Sequence, residues 1–132
     1  MNKKKCLISI VEDDIPCGKL LEYYLRRNGF TNVALYTDEN NFIHNLNKHP
    51  QIVITDYRLK GTNGVELIRH AKKIYPDFYC ILFTGLNYDE ICQEDKSELL
   101  IDKYIRKGLY SLTELLTTLN TYSKTQFIEQ FY

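Results

Sequence analysis

The segment Ile52-Val53-Ile54-Thr55-Asp56 constrains this chain more than any other. It is a short apolar run that ends abruptly in a carboxylate. A buried strand of this kind delivers a lone acid to its C-terminal end, the place where open α/β sheets bind ligands. Three other runs end in the same manner. Cys6-Leu7-Ile8-Ser9-Ile10-Val11 ends in Glu12-Asp13-Asp14, Tyr79-Cys80-Ile81-Leu82-Phe83 in Thr84-Gly85, and Lys103-Tyr104-Ile105-Arg106 in Lys107-Gly108. Acids, a hydroxyl and an amine therefore fall at strand ends. Together they form a set suited to a divalent cation and a phosphoryl group.

Between these runs the pattern turns helical. Asp14 is placed to cap a helix with Pro16 in its first turn, and Leu20, Leu21, Tyr24 and Leu25 repeat at helical spacing up to Asn28-Gly29. A strand is expected over 33–36. Asp38 then caps a helix carrying Phe42, Ile43 and Leu46, with Pro50 as its end. Gly61-Thr62-Asn63-Gly64 reads as a turn that opens a helix through Val65, Ile68, Ala71 and Ile74, closed by Tyr75-Pro76. The stretch from Asn87 to Leu99 is polar and acid-rich, which predicts a short or irregular fourth helix. A last strand over 101–106 leads into a helix through Leu112, Leu115, Leu116, Leu119 and Tyr122, ending near Lys124. Five such βα units with short connections predict a parallel sheet with helices on both faces. One domain over 1–124 is expected, with a short tail over 125–132 and no output domain.

Composition narrows the classes. Lys+Arg and Asp+Glu are equal at 17 each among 132 residues, so no basic excess points to nucleic acid. No apolar run approaches the roughly 20 residues of a membrane span. The basic start Met1-Asn2-Lys3-Lys4-Lys5 lacks the long apolar region and cleavage site of a signal peptide, which argues for the cytoplasm. Cys6, Cys17, Cys80 and Cys92 form no C-x-x-C pair, and Cys6 and Cys80 read as small core residues in a reducing compartment. His44, His49 and His70 are scattered over predicted helices and read as surface or partly buried polar positions rather than metal ligands.

The chain resembles the receiver domain of bacterial two-component response regulators, over residues about 5 to 124. The resemblance rests on Glu12-Asp13, on Thr55-Asp56-Tyr57-Arg58-Leu59, on Asn63-Gly64, on Thr84-Gly85 and on Lys107, in that order. It implies the flavodoxin-like receiver fold, a five-stranded parallel sheet in the order 2-1-3-4-5. It also implies that Asp56 accepts a phosphoryl group from a sensor histidine kinase or a histidine phosphotransfer protein, becoming an aspartyl phosphate. By the same resemblance Mg²⁺ sits on Asp13 and Asp56, with Glu12 acting through water and the main-chain carbonyl of Arg58 completing the shell. Hard carboxylate oxygens and retained waters suit that ion. Without it, three clustered carboxylates should push at least one pKa upward. Asp14 is better assigned to helix capping.

Further roles follow from the resemblance. Thr84 is the switch hydroxyl, Lys107 the cation that pairs with Asp56 and later with the phosphoryl group, and Tyr104 the aromatic switch. Gly85 leaves room for the phosphodonor. Most relatives carry proline after the lysine, with a cis bond before it. Gly108 here predicts a trans bond, since a non-proline cis bond costs about 2.5–4 kcal/mol. Lys60 replaces another common proline, and Arg58 lies where it can alter water access to the acceptor.

Rival classes are each opposed by particular residues. An aspartyl-phosphate phosphatase needs a second Asp two residues after the nucleophile, where this chain has Arg58. A flavin-binding carrier needs a phosphate loop where Glu12-Asp13-Asp14 would repel phosphate. A degenerate receiver that binds partners without phosphorylation is opposed by the intact acids, Thr84 and Lys107.

Overall fold

The sequence alternates as the apolar runs require, and the elements follow it. The computed structural model describes residues 2–94 and 100–129. In chain order they are β1 (Ile8–Val11), α1 (Ile15–Arg27), β2 (Val33–Tyr36), α2 (Glu39–His44), a 3₁₀ turn (Leu46–Lys48), β3 (Ile52–Thr55), α3 (Gly64–Ile74), β4 (Tyr79–Thr84), α4 (Tyr88–Glu94), β5 (Lys103–Arg106) and α5 (Ser111–Glu129). The strands pair in parallel in the order β2-β1-β3-β4-β5.

Strand alternation divides the core. Ile8, Ile10, Ile52, Ile54, Ile81, Phe83 and Ile105 face α1 and α5, where they meet Leu21, Leu25, Leu115 and Leu119. Val11, Val53 and Cys80 face the other way, against Phe42 of α2 and Leu67, Ile68 and Ala71 of α3. A smaller cluster of Tyr57, Val65, Leu82 and Ile91 lies under α4. Every residue of β1 and β3 is buried, because helices cover both faces of a parallel sheet.

Helix ends follow local chemistry. The Asp14 carboxylate accepts from Cys17 N at 3.3 Å, and Pro16 sits in the first turn of α1, where its missing N–H costs nothing. That helix stops at Gly29, whose φ of 94° suits glycine; Gly29 N and Phe30 N then bond back to Arg26 O and Leu25 O. Asn63 caps α3 by accepting from Glu66 N at 2.9 Å. Asn87 caps α4 by accepting from Glu90 N at 3.0 Å, and its side-chain amide donates to Glu90 Oε1 at 2.7 Å.

Four expectations change in detail. α2 ends at His44, well before Pro50; the chain continues as the 3₁₀ turn and reverses at His49, which adopts a left-handed φ of 57°. His49 thus lies on a connection, edge-on to Tyr75 at 4.5 Å, rather than on a helix. The last strand is confined to Lys103–Arg106; just before it the Asp102 carboxylate, rather than a main-chain carbonyl, accepts from Cys80 N at 2.7 Å. α5 passes Lys124 and runs to Glu129, so most of the expected tail is helical; 130–132 lie outside the described residues. The same is true of 95–99, in the stretch expected to be short or irregular. Cys6 and Cys80 are buried free thiols, as core positions, and Cys17 is an exposed one. Burial pushes the Cys6 thiol up to about 11 and raises that of Cys80 as well. No helix among the described residues is long and apolar enough to cross a membrane.

Candidate functional site

Parallel strands end together, so whatever follows each strand meets at one edge of the sheet. Val11 pairs with Thr55, Thr55 with Leu82, and Thr84 with Arg106. Glu12, Asp13 and Asp56 therefore emerge side by side, and Lys107 comes off the next strand but one from Asp56. Its backbone N–H donates to Thr84 O at 2.7 Å, which pins this strand end.

The Lys107 ammonium reaches inward over that edge. It donates to Glu12 Oε1 at 2.7 Å and to Asp56 Oδ2 at 2.8 Å, joining three strand ends through one cation. The other oxygen of Asp56, Oδ1, accepts from Arg58 N at 3.3 Å. Arg58 is further held by an antiparallel bridge to Asn63. Gly64 closes the same loop: its N–H donates to Tyr57 O at 2.7 Å, and a Cβ at Gly64 would run into the Asp56 carbonyl oxygen. The Asn63-Gly64 pair is thus needed for a cap and for a close backbone approach.

Burial sets the electrostatics. Glu12 is only 5% exposed, and this desolvation raises its carboxyl pKa above the usual carboxylate value. The Lys107 ammonium works against the rise, while the Asp56 charge adds to it. The expected upward shift is therefore present, but burial rather than repulsion is its main cause. For Lys107 burial alone would lower the ammonium pKa; its bonds to Asp56 and Glu12 reverse that and raise it. The two shifts agree physically, since both record charges withdrawn from water and held by each other.

On the β4–β5 side, Thr84 is buried, and its Oγ1 accepts from Leu86 N at 3.5 Å. The Tyr104 hydroxyl donates to Leu86 O. The Tyr104 ring is half-buried and stands edge-on to Tyr88 at 5.6 Å. One residue's backbone, at Leu86, thus touches both candidate switch residues. The sequence carries no signal for it, because the groups involved are backbone. In front of the site, a Cβ at Gly85 or at Gly108 would meet nothing within 4 Å. No peptide bond among the described residues is cis, so the Lys107–Gly108 bond is trans, as glycine predicts.

The sequence model of the response regulator receiver domain matches residues 8–120. The chain belongs to that family. Receivers are signalling domains, and the sheet order 2-1-3-4-5 with its flanking helices is theirs. Among solved structures, the receiver resembles the response regulator TrrA from Thermotoga maritima in complex with Mg²⁺-BeF, with TM-score 0.76 and 21% identity over 92% of this chain and 98% of that one. A receiver-domain protein of Methanospirillum hungatei matches with TM-score 0.79 and 24% identity, over 92% and 96%. The BeF₃-activated DrrB receiver domain matches with TM-score 0.71 and 26% identity, over 89% and 96%.

For this receiver, then, Glu12, Asp56 and Lys107 are directly joined, with Asp13 beside them on the same connection. Thr84 and Tyr104 stand one strand away, linked through Leu86. Among the described residues no three His, Cys, Asp or Glu side chains gather into a metal cage. Mg²⁺ does not need one, since it is usually held by one or two carboxylates and keeps several waters. Asp13, on the connection after β1, and Asp56, at the end of the neighbouring β3, are both half-buried carboxylates whose hard oxygens fit that requirement.

Proposed function

We propose that this receiver accepts a phosphoryl group on Asp56 from a phosphohistidine of a sensor kinase or histidine phosphotransfer protein. A carboxylate oxygen of Asp56 attacks phosphorus. The new O–P bond forms as the P–N bond to the donor imidazole breaks, and the freed imidazole nitrogen takes a proton from water. The observation that supports this most is the Lys107 ammonium, held between Glu12 and Asp56. It supplies a positive charge where an anionic donor must approach an anionic acceptor, and charge neutralisation with positioning is what phosphoryl transfer requires.

Asp13 and Asp56 would hold Mg²⁺, with Glu12 acting through water and the Arg58 carbonyl as a further oxygen. When bound, that ion neutralises charge on the phosphoryl oxygens. TrrA, in complex with Mg²⁺-BeF, and BeF₃-activated DrrB support carrying this chemistry over to a chain of the same fold. Lys107 would move from Asp56 to a phosphoryl oxygen, and Thr84 would turn its hydroxyl towards the same group. That turn releases the N–H of Leu86, the residue whose carbonyl Tyr104 holds, and so links modification to the α4–β5 surface. Output then passes by protein contact or by handing the phosphoryl group on. In this reading the protein works in the cytoplasm, and its free thiols suit a reducing compartment.

Intact-mass analysis with acetyl phosphate tests the proposal. The native chain should gain one phosphoryl group with Mg²⁺ and none with EDTA, and Asp56→Asn should gain none. A phosphoryl group mapped to Asp13 or Asp14 would overturn the assignment.

A further inference from the structure

Lys107 stands at the start of a connection that little packs down. Leu109 and Tyr110, on the way to α5, leave most of their side chains exposed. Gly108, directly after the lysine, has no side chain, and a Cβ there would meet nothing within 4 Å. Glycine is the least restrained residue a chain can place at that point. Yet the Lys107 ammonium is held at 2.7 and 2.8 Å from carboxylates on two other strand ends. A long, flexible stem reaches one such spot reliably only when its Cα–Cβ bond is aimed at it. The two peptide groups that flank the Lys107 Cα set that aim.

Both peptide groups are pinned. The one before Lys107 is held by the Lys107 N–H, which donates to Thr84 O at 2.7 Å. The one after it is held by the Gly108 N–H, which donates to Ser111 Oγ at 3.2 Å. The same hydroxyl donates to Gly108 O at 2.9 Å, and Ser111 N adds a longer bond to that carbonyl at 3.3 Å. One side chain thus uses both capacities of a hydroxyl on the single glycine that follows the cation. Ser111 is only 7% exposed, although it opens α5 beside two exposed residues. Its bonds are therefore largely shielded from water, where hydrogen bonds are electrostatically stronger.

This bonding is the backward half of a capping box, in which a side chain in the first turn returns to an N–H ahead of the helix. The forward half is impossible, since Gly108 has no side chain to offer. Ser111 therefore carries the turn alone. We propose that Ser111 is a positioning residue for Lys107: its hydroxyl fixes the Lys107–Gly108 peptide group and so holds the ammonium between Glu12 and Asp56. The inference rests on the reading of Lys107 as the cation that serves transfer to Asp56. A hydroxyl that only capped α5 would leave that ammonium undisturbed on removal, and this separates the two roles.

Ser111→Ala removes the hydroxyl and Ser111→Thr keeps it. Ser111 borders a cavity of about 260 Å³ beside Cys17, Leu20 and Leu112, which gives the extra methyl of threonine room. Three measurements on the full chain test the proposal. In EDTA, the ¹⁵N NMR signal of the Lys107 ammonium should broaden or vanish in Ser111→Ala, as its protons exchange faster with water, and return in Ser111→Thr. With acetyl phosphate and Mg²⁺, phosphorylation of Ser111→Ala followed by intact mass should slow about tenfold, since a misplacement on the order of 1 Å can cost about a hundredfold. Ser111→Thr should recover most of that rate. In the native chain, the Gly108 amide should exchange about tenfold more slowly than in an unstructured peptide. That measurement stands even if Ser111→Ala does not fold. An unchanged ammonium signal in folded Ser111→Ala, a loss that Ser111→Thr does not restore, or an unprotected Gly108 amide would overturn the proposal. If the native chain took no phosphoryl group while the ammonium signal still depended on Ser111, the acceptor reading would fail and the hold of Ser111 on Lys107 would be upheld.

Discussion

The middle of the sheet and its β5 flank are built differently. β1 and β3 are buried along their whole length, whereas β5 has one fully buried residue, Ile105, between the half-buried Tyr104 and the exposed Arg106. Glu12 and Asp56 rise from the tight region, and Tyr104 stands on the loose one. A close-packed core deforms in discrete steps rather than continuously, so a small change at Asp56 has little freedom to spread sideways through β1 and β3. The thinly covered flank is where such a change can be expressed. The difference suggests that acceptor geometry and conformational response are carried by separate parts of one sheet.

Truncating matched isoleucines gives the sharpest way to break this contrast. Ile54 and Ile91 are equally buried, each at 1% exposure. Ile54→Ala should cost about 4 kcal/mol in urea unfolding, because β1, β4 and two helices cannot collapse into the gap. Ile91→Ala should cost about 2 kcal/mol, since α4 covers the sheet on one side only and can settle. Equal losses would show that the flank is as rigid as the middle.

Removing Lys107 probes the tie between the two regions and carries a pH signature. Lys107→Met leaves Glu12 buried without its cation, which should cost roughly 1–3 kcal/mol at neutral pH. The raised Glu12 pKa, freed from the Lys107 ammonium, then rises further. Between the ordinary carboxylate value and that higher one, the folded state binds more protons than the unfolded state. Stability in this window must therefore fall as pH rises. The deficit of Lys107→Met relative to the native chain should be smaller near pH 5 than near pH 8, measured by denaturant unfolding in EDTA. The native chain should in turn lose the Lys107 contribution above its ordinary ammonium pKa, as pH rises through the raised value. A pH-independent deficit would mean that Glu12 reaches water when its partner is gone.

What is legible in the sequence follows the same division. The middle strands announce themselves because burial on both faces writes them as unbroken apolar runs, and Asp56 stands out as the charge that ends one. Asn63-Gly64 and Asp14 are visible because their roles depend on side-chain type. The Leu86 link is invisible, since it uses backbone groups that any residue but proline supplies. The early end of α2 is hidden because Pro50 looks like the stop, whereas the chain has already turned at a left-handed His49. The length of α5 is hidden because its last turns lack the apolar spacing of Leu112 to Leu119. The cause of the Glu12 shift needs burial, which three adjacent acids do not reveal.

Tyr104→Phe tests the flank with a smaller change. It removes the hydroxyl that donates to Leu86 O while leaving the ring against Tyr88. The bond is partly solvated, so the loss should be about 0.5–1.5 kcal/mol. Hydrogen exchange should quicken around Leu86 and α4 and stay unchanged at Ile54 and Val53. Phosphorylation by acetyl phosphate should persist, because Tyr104 touches none of Glu12, Asp56 and Lys107. If exchange at Ile54 also quickened, the two regions would be one cooperative unit.

The smallest effect is expected at Gly108, and it is informative because Gly64 should behave oppositely. A Cβ at Gly64 would strike the Asp56 carbonyl, so Gly64→Ala must displace the acceptor loop. At Gly108 a Cβ meets nothing within 4 Å, and the residue is not in the left-handed region. The N–H that donates to Ser111 Oγ at 3.2 Å survives a change to alanine and would be lost with proline. Gly108→Ala should therefore leave phosphorylation intact and raise stability by about 0.4–1 kcal/mol, by narrowing the unfolded ensemble. Thermal unfolding with intact-mass phosphorylation measures both. A destabilised Gly108→Ala would show that the loop after Lys107 needs glycine's freedom, and that this rim belongs with the tight middle rather than with the loose flank.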